Sequence, residues 1–384
     1  MKIYAKTIEP EALKQVLRIV RSPAFADQRI RIMPDVHAGK GCVIGFTATM
    51  GDKVVPSVVG VDIGCGVFVV ALDRRRINLA RLDQVIREQV PAGHEVHAQA
   101  TLIQPQFNCL CCRNELHDMD RLRKSCGTLG GGNHFIEVDE SPSGNKYLLI
   151  HSGSRNLGKQ VADIYQRKAI ARPNPRFREE IDRLRAEGRE TEIEAHLAQL
   201  RRQRQPNELA YLDGRDADDY LNDMHLTQRF ATANREAIAR AIISGMEWDG
   251  ETFWSFHTIH NYVDMEDHIV RKGAVRAHDG KLFVVPINMR DGTLFCVGKG
   301  NPDWNYSAPH GAGRLIGRRE AREKLTLKEY ERSMKDVYTS SVSLATIDEA
   351  PMAYKPMEEI AKYIEPTAHI VETWHPIYNF KAGE

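Results

Sequence analysis

Net charge is nearly absent from this sequence: 53 lysines and arginines stand against 52 aspartates and glutamates, leaving +1. A polyanionic partner therefore has to be held by a local cluster of cations rather than by a global field, and no polybasic tail is present. An uninterrupted apolar run of membrane length is also missing. The most apolar stretch, residues 54–72, is broken by Pro56, Gly60, Asp62, Gly64 and Gly66, which argues against a membrane span and predicts two buried strands joined by a polar turn. The first residues, MKIYAKTIEPEALKQVL, lack the apolar core and small-residue cleavage site of a secretory leader. The expectation is a cytoplasmic protein without a membrane partner. Cysteine is sparse and odd in number; seven scattered thiols fit reduced side chains and metal ligands better than a disulfide framework. Internal repeats and low-complexity tracts are lacking too, which disfavours a string of domains.

What is present is an ordinary globular composition, 42% hydrophobic, 27% charged and 7% aromatic, which excludes a collagen, a coiled-coil rod and a wholly disordered chain. At 43.5 kDa the chain is longer than most compact domains, yet barrels and large mixed sheets of this size close around one core. Leu13, Val16, Leu17 and Val20 predict a helix over 9–21, and strands are expected at 29–33 and 42–50 around the loop PDVHAGKG, residues 34–41. Residues 54–61 and 67–72 are β-branched and apolar, as strands buried on both faces are. Residues 78–89 predict a helix capped by Asn78. A glycine-rich turn, 127–132, feeds a strand at 134–138, and a strand at 147–150 runs into HSGSRNLG. The Arg- and Glu-rich segment 174–205, with a break near Gly188, reads as a charged helical hairpin, either a solvated excursion or a contact surface for an extended polyanion. A long apolar-faced helix is expected at 218–245, followed by strands and tight loops.

Chemistry concentrates in the loops. His134, His151, His260 and His310 share one setting, a strand end beside Gly or Asn. Each taken singly reads as a hydrogen-bonded structural histidine; four in the same context point to side chains presented toward one cavity. In VDIGCG, Asp62 and Cys65 lie three apart in a tight turn. With His134, His151 and His260 they offer oxygen, sulfur and nitrogen donors for one or two Mn²⁺ or Zn²⁺ ions, a thiolate being able to bridge two. Taken alone, Cys65 is equally a small buried hydrophobe. HGAGR, residues 310–314, has no metal-ligand spacing. Its glycines allow close backbone approach, Arg314 offers a fork for phosphate, and His310 beside such a cradle can attack phosphorus; a plain structural turn is the alternative. Arg155 and Lys272 are further phosphate-pairing candidates, each with a surface role as the simpler reading. Cys109, Cys111 and Cys112 in CLCC lack a second Cys/His pair and read as incidental thiols. His257 reads as a core or supporting residue before it reads as a ligand, and the pair Asp35 and His37 either orients metal ligands or belongs to a plain loop.

In order along the chain, MPDVHAGKG, VGVDIGCG, GTLGGGNHFIEV, IHSGSRNLG, IHNYV, RKGAVRA, APHGAGR and a lysine near the carboxyl end resemble the RtcB-type RNA-splicing ligases. The resemblance spans nearly the whole chain. It implies a single α/β domain over 1–384 with a mixed β-sheet core, surrounding helices and the hairpin as an excursion. It also implies two Mn²⁺ ions held by Asp62, Cys65, His134, His151 and His260, with Cys65 between them, and GTP as the second cofactor. His310 would be the catalytic residue that becomes covalently guanylylated. The GMP pocket would comprise Asn133, His134, Phe135, Ile136, Glu137, His260, Asn261, Pro286, Ile287, Asn288, Met289, Thr293, His310, Gly311, Ala312, Gly313 and Lys381, while Arg155 and Arg314 would hold RNA or the transferring phosphate.

The implied partners are RNA ends: water opens a 2′,3′-cyclic phosphate to a 3′-phosphate, GMP passes from His310 to that phosphate, and a 5′-hydroxyl attacks and expels GMP. The chain departs from the family pattern at PINM (286–289), at Val270 where a histidine is common, and at its KAGE ending. These differences touch the nucleotide pocket, so the expectation is an active paralogue with altered nucleotide handling or RNA target. Two other classes fit the residues: a dinuclear metallophosphoesterase acting on cyclic or terminal phosphates without nucleotidyl transfer, and a catalytically retired RNA-end binding protein. HGAGR with Lys381 has no purpose in a simple hydrolase, and the full ligand set has none in a retired one.

Overall fold

A computed structural model describes residues 1–100, 107–172, 175–202, 207–249 and 253–382. The strands, in chain order, are β1 (Lys2–Ile3), β2 (Ile30–His37), β3 (Ile44–Thr49), β4 (Gly66–Asp73), β5 (Phe135–Glu140), β6 (Lys146–Ser152), β7 (Ser255–Ile259), β8 (Asn261–Asp264), β9 (Ile269–Lys272) and β10 (Ala274–Arg276). They continue with β11 (Leu282–Asn288), β12 (Gly292–Gly298), β13 (Ser307–Pro309), β14 (Tyr338–Thr339) and β15 (Ala368–Phe380).

An eight-stranded sheet runs in the order β11-β12-β15-β5-β6-β4-β7, with β14 added beside β15. Its pairings are antiparallel except β14 with β15. The sheet curls until its two end strands meet, where the Val284 amide donates to the Thr258 hydroxyl at 3.3 Å. Alternation along β4 shows why the run is apolar on both sides. Val67 and Val69 point inward with Phe135, Leu149, Val284 and Trp374, while Phe68, Val70 and Leu72 point outward against Leu82, Ile86 and Ile238. Burial of both faces goes with the unbroken apolar run from Val67 to Leu72.

The second sheet, β1-β2-β3-β9-β8, has a parallel β1–β2 pair and antiparallel neighbours elsewhere, so each of the two larger sheets is mixed by one edge pairing. A β10–β13 pair completes the strands. The α/β fold is as expected, with two sheets where one was anticipated. The helix Gly214–Gly245 lies across the outside, burying Tyr220, Met224 and Phe230 in one cluster and Ile238 and Ile242 in another. It begins four residues before the expected 218.

Two local expectations are corrected. Residues 54–61 are not a strand: Pro56–Val59 forms a single helical turn, because Pro56 presets the φ of a first helical residue and Gly60, at φ +94°, ends it. Residues Pro34–His37 are not loop but the end of β2. The helix Leu79–Gln89 is capped by Asn78, whose side chain accepts from the Arg81 amide. The charged hairpin consists of helices Pro175–Ala186 and Ile193–Arg202, turning at Gly188 with φ +67°; positions 174 and 203–205 lie outside the described residues. Its inward side chains include Leu184 and Leu197, both buried.

Candidate active site

Strand parity delivers the donors to one mouth of the curled sheet. Cys65 lies two residues before inward-facing Val67, His151 two after Leu149, and His260 two after Thr258, so the inward rows of β4, β6 and β7 end together. Register agrees: Val67 pairs with His151, and His151 with Phe135. The turn into β4 puts Gly64 at φ +72°, where any side chain would meet the backbone of Gln228.

Two donor sets result, Asp62 with Cys65 and His134, and Cys65 with His151 and His260, each with its ligand atoms within 4.8 Å of one another. Cys65 belongs to both. Its Sγ is 3.5 Å from His134 Nε2 and 3.3 Å from His151 Nε2; His134 Nε2 is 2.9 Å from Asp62 Oδ2, and His151 and His260 face each other through Nε2 at 3.4 Å. The opposite ring nitrogens set the tautomers. His151 Nδ1 donates to the Asn133 carbonyl at 3.1 Å, leaving its Nε2 lone pair turned inward, while His134 Nδ1 donates to the Leu129 carbonyl at 2.8 Å and its Nε2 faces the Asp62 carboxylate, where a cation would take the place of the shared proton.

Burial opposes the charge of Asp62, Cys65, His151 and His260. It pushes the Cys65 thiol up, with Asp62 adding to the effect, and pushes His151 and His260 down, helped by neighbouring histidines. Burial also opposes the charge of Asp62, but the hydrogen bond and charge of His134 outweigh it and hold the carboxyl well below the usual range. Asp62 Oδ1 accepts the Ser154 amide at 3.1 Å, and Gly153 packs so closely on that carboxylate that a Cβ would overlap it. The imidazoles of His134, His151 and His260, a carboxylate and a thiol converging within a few ångströms fit a divalent cation, and the buried His260 Nδ1 has no hydrogen-bond partner among the described residues.

His310 follows β13 directly, its ring centroid 4.7 Å from that of His260. Asp35, at the end of β2, accepts from both His310 Nδ1 (2.7 Å) and the His310 amide (3.2 Å). This fixes the proton on Nδ1 and leaves Nε2 as a free lone pair. The sequence reading of Asp35 and His37 is corrected here: Asp35 orients His310 rather than a member of the donor cluster, and His37 Nδ1 rests on the Asp35 carbonyl at 2.8 Å.

Asp62, Cys65, His151, His260 and His310 share a cleft of about 600 Å³. Of the residues singled out from sequence, Asn133, Phe135, Glu137, Asn261, Pro286, Ile287, Asn288, Met289, Gly311, Ala312, Gly313, Arg314 and Lys381 line it. His134, Ile136 and Thr293 do not. Ile136 faces the outer core, since Phe135 and Glu137 take the inward parity of β5, and Thr293 is fully buried within β12. Arg155 lies behind the cleft wall, donating to Thr128 Oγ1 (3.2 Å) and the Gly93 carbonyl (3.2 Å). Lys272 lines the cleft but is no surface residue: its ammonium is buried and donates to the Lys40 and Ser57 carbonyls, both at 2.9 Å. His257 stacks on Phe68 at 4.2 Å, outside both donor sets. CLCC is also outside them; the Cys111 and Cys112 amides bind Asp223.

Sequence reasoning missed Glu349. It is buried and contacted by Lys381 (2.7 Å), Arg318 (2.7 Å), Arg314 (3.2 Å) and the Tyr354 hydroxyl (2.6 Å). Burial opposes its charge, but the three cations outweigh that and hold its carboxyl at about 2. Nothing in TIDEAPMAY has a spacing that marks this role; only the arginines and the lysine, far apart in sequence, reveal it.

Comparison with known proteins follows the same geography. A family described as "tRNA-splicing ligase RtcB" matches residues 15–115 and 112–382. The RNA-splicing ligase RtcB of Escherichia coli K12 is 30% identical over 400 residues, covering 94% of this chain and 92% of that protein. RtcB2 of E. coli ATCC 25922 is 24% identical, covering 92% and 87% of the two chains. The tRNA-splicing ligase RtcB of Nanoarchaeum equitans is 25% identical, covering 94% and 89%.

Proposed function

The chain belongs to the RtcB family, and from that premise we propose that it is an RNA ligase joining 2′,3′-cyclic phosphate or 3′-phosphate ends to 5′-hydroxyl ends through a histidine-linked GMP. The observation that carries this reading is the Asp35–His310 pair beside the donor cluster. A metallophosphoesterase that activates water on its cations does not need a second, nucleophilic imidazole held with its Nε2 lone pair free, whereas nucleotidyl transfer does.

In the proposed sequence, His310 Nε2 attacks the α-phosphorus of GTP, an N–P bond forms, and pyrophosphate leaves with the electrons of the α–β bond. Asp35 stabilises the positive charge that develops on the imidazole. An RNA 3′-phosphate oxygen then attacks the same phosphorus and displaces His310, giving RNA(3′)pp(5′)G. The 5′-hydroxyl of a second end attacks the 3′-phosphorus, loses its proton to a base, and expels GMP. A cyclic phosphate is first opened by water to the 3′-phosphate. Asp62, Cys65, His134, His151 and His260 would hold two Mn²⁺ ions, with the Cys65 thiolate shared, and the cations when bound supply positive charge to phosphoryl oxygens. Phe135, Glu137, Asn261, Met289 and Lys381 would receive the nucleotide, with Glu349 restraining the lysine. Arg314, which lines the cleft, would balance RNA phosphate, while Arg155, set behind the wall, would not reach it.

The test is incubation with α-labelled GTP and Mn²⁺. The expected product is a base-stable, acid-labile label on wild-type protein that is absent from His310→Ala, while His310→Ala still joins RNA supplied already guanylylated at its 3′-phosphate. Phosphate release from cyclic or terminal esters with no protein-bound label would assign the site to a metallophosphoesterase instead.

A further inference from the structure

One buried dipeptide outside the cleft touches nearly every segment that carries a donor. Asn234 and Arg235 lie on the helix Gly214–Gly245, and both are fully buried. Asn234 Oδ1 accepts the Gly127 amide at 2.7 Å and the Thr128 amide at 3.0 Å. Its Nδ2 reaches the Thr128 carbonyl (3.1 Å), the Ser152 hydroxyl (3.0 Å) and the Gly153 carbonyl (3.1 Å). The Ser152 hydroxyl in turn donates at 2.9 Å to the Leu129 carbonyl, the same oxygen that receives His134 Nδ1. Arg235 Nη1 donates at 2.8 Å to both the Gly64 and Ser152 carbonyls, the residues adjoining Cys65 and His151.

Arg235 is also an unusual cation. It makes no ion pair among the described residues, and its other contacts are the neutral Thr232 hydroxyl and His257 Nδ1. A guanidinium taken out of water without a carboxylate partner is costly, and the carboxylates that act on it across space are Asp62 and Glu236, with Cys65 added when ionised. Burial lowers it only to about 10, so it keeps its charge at neutral pH.

We propose that Asn234 and Arg235 are positioning residues for the metal centre: from one turn of an outer helix they hold the segments bearing Asp62, Cys65, His134 and His151 at the separations a cation requires, before any cation arrives. This rests on the reading of those side chains as metal ligands. Neither residue touches nucleotide or RNA; they act through the backbone of the ligand-bearing turns.

Co²⁺ titration of the full-length protein tests it, because a cobalt–thiolate absorption band reports Cys65 coordination independently of ligation. Wild type is expected to develop the band and Cys65→Ala to lose it; a wild type without the band, or Cys65→Ala retaining it, overturns the metal-site reading itself. Given a wild-type band, Arg235→Met and Asn234→Leu should bind Co²⁺ about tenfold to a hundredfold more weakly, the range typical for groups that orient ligands, with a weakened band. Phe230→Leu, a buried change on the same helix that removes none of these hydrogen bonds, serves as the control for core disturbance and should bind as wild type. Affinity and band in Arg235→Met equal to those of Phe230→Leu would overturn the proposal. Should Arg235→Met fail to fold, Arg235→Lys is read in the same way: it keeps the charge but cannot span both carbonyls from one planar fork, so binding equal to wild type overturns the proposal and a weakening of about tenfold supports it.

Discussion

At the scale of single residues, the arrangement works by fixing which atom of each side chain is free. A histidine with one nitrogen tied to a carbonyl or carboxylate has no choice of tautomer, and His134, His151 and His310 are all tied in this way. Asp35→Asn therefore tests more than charge. The amide can turn its NH₂ toward Nδ1, drive the ring proton to Nε2, and remove the lone pair needed for attack. GMP attachment to His310 should slow by about a hundredfold or more, measured as the single-turnover rate of labelling, with little change in thermal stability. Gly153→Ala probes the other side of the cleft. A methyl there overlaps the Asp62 carboxylate, so the expected result is loss of Mn²⁺ binding by titration, with the protein still folded.

At the scale of elements, the charged hairpin is where sequence left two readings and the structure narrows the choice. Arg183 is paired with Glu180 and Glu187, and Arg189 with Glu187 and Glu192. These guanidinium groups are balanced within the hairpin instead of being presented as an open cationic strip. Exposed pairs of this kind add little stability. Replacing Arg183 and Arg189 with glutamine should leave the slope of RNA affinity against salt unchanged, where each lost phosphate contact would flatten it by roughly one unit. It should also leave GMP attachment unchanged. A flatter slope would make the hairpin an RNA contact surface.

At the scale of the whole molecule, one curled sheet and one long helix tie distant parts of the chain together. The curled sheet is filled by Trp374, which stacks on Tyr147 at 3.8 Å and on Phe295 at 4.7 Å. Trp374→Ala should cost about 3–5 kcal/mol in chemical unfolding, and the 1–384 unit should unfold in one transition seen alike by fluorescence and circular dichroism. Acid should destabilise the protein in a defined window. Burial lowers His37 to about 4 and, together with the Arg235 charge, lowers His257 to about 3, from an ordinary 6.5. The unfolded chain thus binds these protons first, so the stability contributed is complete above pH 6.5 and is lost as the pH falls toward 4 and below. Urea midpoints measured from pH 7 to pH 4 should decline accordingly. No helix among the described residues is long and apolar enough to cross a membrane.

Sequence alone determined what local pattern controls. The unbroken apolar run of residues 67–72 set a strand buried on both faces, Asn78 set a helix start, and glycine turns beside Asp62, Cys65, His134 and His151 marked where donors leave strand ends. These depend on neighbours within a few positions, which is the range over which backbone propensity and side-chain periodicity act. Tertiary structure alone decided the rest. Inward parity chose Glu137 over Ile136. Lys272 was drawn inward onto two carbonyls. Asp35 reached His310 across 275 positions of sequence, and Glu349 became the anchor of Arg314, Arg318 and Lys381. A buried charge or a ring nitrogen takes whichever partner the closed fold brings within hydrogen-bond distance, and that distance is set by packing between segments that share no local pattern.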